Sequence, residues 1–381
     1  MRLIYRHSVI LFILLLITTG CSFQASTPLS KYQTKPAALE NSAHTAHPEA
    51  PTALPDLKPT STSTITPSPM PTEIVFEIGQ ELTIKYLQEM EIRGSEIIFH
   101  ERLSPGYSYA RHLVSYSSEG NQVYGLLTIP FAEPPEGGYK AIVFNHGYIP
   151  PDVYQTTERY LAYVDYLARN GFVIFKIDYR GHGNSEGNPL GSYFSPGYTI
   201  DAITALKSLQ TLDYVDPKGI GMWGHSMAGN LVLRAMLVEP DIKAGVIWAG
   251  AVYSYEDFLT YGINDHTYRP PAIPGDLEQD EHLRGTRPIF EVNGWPEPES
   301  AYWQAVSLTE NIEYLTSPIQ LHHAEDDPVV NINYSHGLAG ALLDSGKSYE
   351  FFTYDGGGHN LISPWFDQAM LRTVKFFEDN L

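Results

Sequence analysis

Hydrophobic positions in the second half of the chain form short continuous runs that alternate with longer amphipathic stretches. The short runs are typical of buried strands and the amphipathic stretches of helices. The predicted strands lie at residues 81–88, 97–102, 110–116, 122–129, 141–145, 172–177, 220–223, 244–248, 319–323 and 349–353, and the predicted helices at 153–170, 198–211, 227–238 and 365–379. This alternation predicts an α/β fold with a mostly parallel central sheet flanked by helices.

One long stretch, residues 253–314, breaks the alternation. It combines prolines, aromatic residues and charges without a clear period, as in Trp295-Pro296-Glu297-Pro298. A segment of this length is typical of a functional cover or a small helical cap, and a surface insertion without a role is the alternative. We expect a cap, whose tyrosines and tryptophans would favour apolar acyl or aryl groups in a substrate.

The first 72 residues have a different character. Residues 1–20 carry two arginines followed by an apolar run, which is typical of a secretory signal and short for a membrane-spanning helix. The run ends at Thr18-Thr19-Gly20-Cys21, which resembles a bacterial lipobox although Thr18 replaces the usual aliphatic residue. The resemblance implies lipidation of Cys21, and an ordinary secretory signal is the alternative.

Residues 21–72 are rich in Pro, Thr and Ser and contain almost nothing that could form a core, which predicts a disordered tether. The folded domain is therefore expected over residues 73–381. We expect an extracytoplasmic protein held at a bacterial membrane surface by the lipid on Cys21, and a secreted protein if the lipobox resemblance fails.

Composition narrows the classes of partner. The 381 residues include 24 Lys and Arg against 44 Asp and Glu, a net charge of −20. So acidic a chain is poorly suited to phosphate backbones, which excludes nucleic acid as a partner. The chain has a single cysteine, so no intramolecular disulfide is expected. Nothing in the composition predicts the oligomeric state.

Ser226 lies where a predicted strand turns directly into a predicted helix, in the segment Gly224-His225-Ser226-Met227-Ala228-Gly229. A serine on such a bend has an exposed hydroxyl, and the helix N-terminus beside it stabilises negative charge. The usual pattern is Gly-x-Ser-x-Gly, and here Ala228 takes the place of the second glycine. The segment predicts that Ser226 is a nucleophile.

A serine hydroxyl needs a base to remove its proton, and the base needs an orienting acid. Two later strands end in such groups: one is followed by Glu325-Asp326-Asp327 and the other by three glycines and His359. Open α/β sheets build their sites at this edge. We expect His359 to be the base and Asp326 the acid, with Asp327 or Glu325 as alternatives.

Two backbone N–H groups are expected to stabilise the oxyanion. One belongs to Met227 and the other to Tyr148, in the loop after the strand at 141–145, although Gly147 there could merely permit a tight turn. His322 and His323 are neighbours on a strand and point to opposite faces, so no shared metal is predicted. The chemistry requires no cofactor.

These motifs together resemble the α/β-hydrolase fold, and most closely the catalytic domain of the prolyl oligopeptidase family and its dienelactone-hydrolase-like relatives. The acid motif of that family usually has glycine where His323 stands. The segments that carry the resemblance are Asn145-His146-Gly147, the run from Asp178 to Ser185, the Ser226 segment, the run from His322 to Val329, and Gly358-His359.

The resemblance implies a serine hydrolase that cleaves ester or amide bonds through an acyl-enzyme. Its expected substrates are small-molecule esters or short peptides. Oligopeptidases of this family carry a β-propeller, for which the roughly 60 folded residues before the 146–148 loop are too few. A carboxylesterase and an oligopeptidase-type peptidase both stay open, with a non-catalytic surface-tethered binding protein as a remote alternative.

Overall fold

The computed structural model describes residues 74–254, 257, 260 and 287–381. These residues fall in one unit, Pro71–Leu381. The predicted signal peptide (1–20), the tether (21–72) with Cys21, and much of the predicted cap (253–314) lie outside the described residues. Within the described ranges, none of the helices has the length and apolar character needed to cross a bilayer.

A central sheet of nine strands organises the described part of the chain, in the order β1-β2-β3-β5-β4-β6-β7-β8-β9. The first three strands are antiparallel neighbours, β3 is antiparallel to β5, and the remaining pairs are parallel. The predicted mostly parallel sheet is confirmed. The strands are β1 Ile98–Leu103, β2 Tyr109–Ser118, β3 Asn121–Pro130, β4 Tyr139–Asn145, β5 Val173–Ile177, β6 Val215–His225, β7 Gly245–Trp248, β8 Ile319–Ala324 and β9 Tyr349–Tyr354.

Helices cover both faces of this sheet. They are α1 Ile84–Glu89, α2 Leu161–Arg169, α3 Gly197–Leu209, α4 Met227–Val238, α5 Arg287–Asn293, α6 Ala301–Val306, α7 Asn333–Asp344 and α8 Trp365–Asn380. Successive residues of β4 point to opposite faces of the sheet. Val143 packs with residues of α3, α4 and α7, whereas Phe144 packs with residues of α2 and α8. A strand buried on both faces explains the continuous apolar run at 141–145.

The predicted strand at 81–88 is wrong, because this segment forms a short 3-10 turn followed by α1. The Thr83 hydroxyl caps α1 by accepting a hydrogen bond from the Tyr86 N–H at 3.3 Å. Ile84 and Leu87 are both buried and three residues apart, a spacing that puts them on one helix face and not on one face of a strand.

The predicted helix at 153–170 is confirmed only in its second half, as α2. Before it, Tyr154 and Thr156 donate hydrogen bonds to the buried Asp178 carboxylate instead of continuing a helix. Arg159 and Tyr160 then have φ of 54° and 55°, which no right-handed helix contains. This left-handed pair ends the loop from β4 and sets where α2 begins.

Helix α7 was not predicted. Its glycines at 337 and 340 lower its helix propensity. It forms because Tyr334, Leu338 and Leu342 recur every four residues and are all buried.

Candidate active site

Ser226 occupies the sharp turn between β6 and α4. Its φ is 58° and its ψ −121°, a strained conformation for a residue with a side chain. Two backbone hydrogen bonds hold it there: its N–H donates to the Trp248 carbonyl at 2.9 Å, and its carbonyl accepts from the Gly229 N–H at 2.9 Å. This geometry is that of a nucleophile elbow, which projects a serine hydroxyl from the edge of the sheet.

Close backbone approaches explain the small residues around the elbow. A Cβ added to Gly224 would lie 2.7 Å from the Ala228 carbonyl oxygen, and one added to Gly229 would lie 2.7 Å from the Gly250 Cα. Both positions therefore require glycine. Ala228 is fully buried, and its methyl group is accommodated. The departure from Gly-x-Ser-x-Gly leaves the elbow intact, because the close crossing of α4 over β7 takes place at Gly229.

His359 is paired with Asp327. The Asp327 Oδ2 lies 2.8 Å from the His359 Nδ1. The Asp327 side chain is fully shielded from solvent, whereas that of His359 is 15% exposed. The other carboxylate oxygen, Oδ1, accepts hydrogen bonds from the Val329 and Val330 N–H groups at 2.8 and 3.0 Å. The carboxylate is thus fixed at both oxygens and presents one of them to the imidazole.

A second imidazole also reaches this carboxylate, which the sequence did not indicate. The His323 Nε2 lies 3.1 Å from the Asp327 Oδ2 and its Nδ1 lies 2.7 Å from the Ser335 hydroxyl. Burial alone would raise the pKa of Asp327, but the hydrogen bonds from His323 and His359 outweigh it and hold that pKa well below its usual value. Asp327 therefore stays ionised beside His359.

The expectation that Asp326 contacts His359 is corrected by this geometry. The Asp326 side chain is exposed at the turn after β8, and its Oδ1 accepts a hydrogen bond from the Gly358 N–H at 2.8 Å. Its neighbour Asp327 points inward, toward the imidazole. Asp326 therefore braces the loop that carries His359 without touching its ring.

A chain of hydrogen bonds connects the 146–148 loop to the His359 loop. The Gly147 N–H donates to the Tyr160 hydroxyl oxygen at 2.9 Å, and that hydroxyl lies 2.8 Å from the His225 Nδ1. The His225 Nε2 lies 2.8 Å from the His359 carbonyl. Since a carbonyl only accepts, His225 carries its proton on Nε2 and accepts from Tyr160 on Nδ1.

Burial supports this assignment, because it lowers the pKa of His225 to about 3 and keeps the ring neutral. Tyr160 itself has a left-handed φ, so the irregular start of α2 serves to bring its hydroxyl to this position. The hydrogen bonds by which Tyr160, His225 and His323 support the site were not predicted from the sequence.

The loop with Tyr148 lies directly beside the elbow. A Cβ on Gly147 would be 3.1 Å from the Ser226 Cβ, so the glycine permits the close approach. Met227 is the first residue of α4, and the N–H groups of a first helical turn have no partner within the helix. The structure thus brings Ser226, Met227 and the 146–148 loop together at the sheet edge where His359 lies.

An open groove of about 660 Å³ borders this edge. Its walls come from the Tyr148 loop, from α2 and from the segment after His359, and they are mainly aromatic and aliphatic. The lining includes Tyr148, Val153, Tyr160, Tyr163, Ile362 and Phe366, with Arg159 and Asp367 as its charged members. Such a groove suits a small, largely apolar substrate.

His322 and His323 do not share a ligand. His322 contacts the Tyr354 hydroxyl and the Gln320 side chain, whereas His323 faces Ser335 and Asp327. In the described ranges, no three His, Cys, Asp or Glu side chains come together as a metal site.

Comparison with known proteins finds one matching family model and several related sequences. The model of the family described as "Serine aminopeptidase, S33" matches residues 139–265. Human protein ABHD12B is 26% identical over 245 residues, which cover 63% of this chain and 60% of that protein. The uncharacterized peptidase YtmA of Bacillus subtilis is 27% identical over 259 residues, which cover 67% of this chain and 88% of that protein.

Solved structures show the same fold. Acetyl xylan esterase 1 from Thermoanaerobacterium superposes with a TM-score of 0.55 at 16% identity, over 79% of this chain and 94% of that chain. Dipeptidyl peptidase 4 of Porphyromonas gingivalis superposes with a TM-score of 0.54 at 18% identity, over 72% of this chain but only 36% of that chain. The protein is a serine hydrolase with the α/β-hydrolase fold.

Proposed function

We propose that Ser226, His359 and Asp327 are the catalytic triad of a carboxylic ester hydrolase. The observation that carries the proposal is the shielded Asp327–His359 pair at the same sheet edge as the strained Ser226 elbow. Asp327 replaces Asp326 as the proposed acid because only Asp327 reaches the imidazole.

The reaction follows from these positions. The His359 Nε2 accepts the Ser226 proton while the Ser226 oxygen attacks the ester carbonyl, and the N–H groups of Met227 and Tyr148 hold the resulting oxyanion. The imidazolium gives its proton to the departing alcohol, which leaves an acyl group on Ser226. Water then attacks this acyl-enzyme with His359 as base, and the carboxylic acid departs. Asp327 stabilises the imidazolium without itself accepting a proton.

The groove favours an ester over a peptide. An aminopeptidase needs carboxylates to hold the free ammonium group of its substrate, and among the described groove residues only Asp367 supplies one. The aromatic walls instead suit apolar acyl or aryl groups. A peptidase is the second candidate, because the matching family model is that of serine aminopeptidases.

Ser226→Ala is expected to abolish both labelling by a fluorophosphonate probe and hydrolysis of p-nitrophenyl esters, since no other serine lies on a nucleophile elbow among the described residues. Labelling is read by gel fluorescence and hydrolysis by nitrophenolate release. Ser117→Ala, at an exposed position on β2, is the matched control and keeps wild-type labelling. Labelling that survives Ser226→Ala contradicts the proposed nucleophile.

The same assays separate the two substrate classes. The wild-type enzyme is expected to show a higher kcat/KM for p-nitrophenyl esters of short acyl chains than for aminoacyl p-nitroanilides. The reverse order would make the peptidase the better assignment, with the triad unchanged.

Tyr160→Phe is expected to lower kcat about tenfold, because it removes the hydroxyl that joins Gly147 to His225 and lets both catalytic loops relax. The KM should change little, since the aromatic wall of the groove remains. Tyr166→Phe, on the neighbouring helix α2, is the control, because the Tyr166 hydroxyl has no hydrogen-bond partner among the described residues. Equal kcat values for both variants would show that the hydrogen-bond chain does not position the site.

A further inference from the structure

A second, smaller cavity lies beside α4 and shares no lining residue with the groove. Its volume is about 80 Å³, several times the space that one water needs. Its walls are largely apolar and include Leu82, Phe194, Trp303, Val306 and Leu308. Two polar side chains of α4 also line it, Asn230 and Arg234, and their spacing of four residues puts them one above the other on the same helix face.

Arg234 is a buried cation without a carboxylate partner among the described residues. Its exposed fraction is 3%. The Nη1 donates to the Ser192 carbonyl at 2.7 Å and the Nη2 to the Tyr193 carbonyl at 3.1 Å. Its Nε is buried and has no hydrogen-bond partner. Burial lowers the pKa of Arg234 to about 10, so the guanidinium is still charged at neutral pH.

The two carbonyl contacts leave the charge of Arg234 uncompensated. They fix the guanidinium against the 192–193 loop, but a buried charge is costly unless a counter-charge or a full set of hydrogen bonds meets it. The Nε–Nη2 edge is the side of the fork that binds a carboxylate through two parallel hydrogen bonds. On this edge the Nε donates to nothing, and only one of the two Nη2 protons is engaged.

Asn230 adds a second unsatisfied group to the same cavity. Its exposed fraction is 6%, and its Oδ1 is buried without a partner. Because the oxygen and nitrogen of a carboxamide are assigned from their partners, this side chain can equally present its NH₂ group to a bound acceptor. Buried polar groups in native proteins are nearly always paired, so two unpaired ones lining one cavity indicate a site suited to a polar ligand.

We propose that this cavity, the Arg234 cavity, binds the carboxylate of a small organic acid, held by the Nε–Nη2 edge of Arg234 and by the carboxamide of Asn230. A single guanidinium matches one negative charge, which favours a monocarboxylate over a phosphate dianion. The apolar walls accommodate its hydrocarbon part. The volume limits that part to a few carbons.

Acetate is the probe that tests the site, with acetamide as its neutral counterpart. The unfolding temperature of the full chain is measured by scanning fluorimetry in sodium acetate, and in sodium chloride with and without acetamide, at equal ionic strength. At an acetate concentration about ten times its dissociation constant, we expect acetate to raise the unfolding temperature by about 2–4 °C above the chloride value. We expect acetamide to have no effect. An equal effect of acetate and chloride, or of acetate and acetamide, overturns the proposal.

Two variants locate the effect. Arg234→Met removes the charge, and Val306→Phe fills the cavity while leaving Arg234 in place. Because the two substitutions lie on different helices, a folding defect in one variant does not prevent the test with the other. Both are expected to lose the acetate shift. Arg169→Met, at an exposed arginine of α2, is the control and keeps it. An acetate shift that persists in either cavity variant overturns the site.

Discussion

Asp327→Asn is expected to lower kcat for ester hydrolysis by about three to four orders of magnitude. The asparagine oxygen can still accept from the Val329 and Val330 N–H groups, so the turn is retained. Its NH₂ group, however, faces the His359 Nδ1 in place of an acceptor. The imidazole is then driven into the tautomer that carries its proton on Nε2, which cannot accept the proton of Ser226.

The neighbouring variant Asp326→Asn is the matched control, since it makes the same chemical change one residue earlier. It weakens one hydrogen bond to the Gly358 N–H at an exposed position, so we expect kcat to fall by less than about tenfold. Initial rates with a p-nitrophenyl ester measure both variants, and circular dichroism checks their folding. A larger loss in Asp326→Asn than in Asp327→Asn would return the role of acid to Asp326.

Asp201→Ala is expected to lower the free energy of unfolding by about 3–5 kcal/mol, the range typical of breaking a buried ion pair from one side. Asp201 on α3 is fully buried, and its carboxylate accepts from the Arg180 Nη2 at 2.7 Å, from the Arg180 N–H at 2.9 Å and from the Ser118 hydroxyl at 2.6 Å. The alanine leaves a guanidinium that is only 14% exposed without this partner.

Denaturant unfolding at neutral pH measures this loss. Asp379→Ala is the control, because it breaks the exposed Lys375–Asp379 pair on α8, and exposed pairs contribute little to stability. Its unfolding midpoint should match the wild-type value. A wild-type midpoint for Asp201→Ala would show that Glu119, the other carboxylate at Arg180, compensates fully.

The elements that meet in the core were predicted most accurately. The elbow helix was predicted at 227–238 and forms over Met227–Val238, directly after the buried end of β6, and all of its residues except the last are buried. The approach to α2 was mispredicted because its hydrogen bonds run to Asp178, a partner distant in sequence. The spacing of apolar residues indicates which face of an element is buried, but it does not indicate contacts with residues distant in sequence.

The choice of acid depended on a turn that local sequence does not specify. Three consecutive acidic residues follow β8, and their positions in the sequence do not decide which of them faces the base. Asp327 is selected by its hydrogen bonds to Val329 and Val330, which form only once the chain has turned. A histidine stands at 323, where glycine is expected, and its contact with the Asp327 carboxylate becomes visible only in the folded structure.

The position of β9 has a consequence for how the proposed base is kept in place. Within the described residues β9 is an edge strand of the sheet and pairs with β8 alone, so His359 follows a strand with a single neighbour. Its loop is instead tied to more central elements: the His359 carbonyl to His225 on β6, and the Gly358 N–H to the turn after β8. The position of His359 is therefore set by β6 and by the turn after β8 as well as by the edge strand that precedes it.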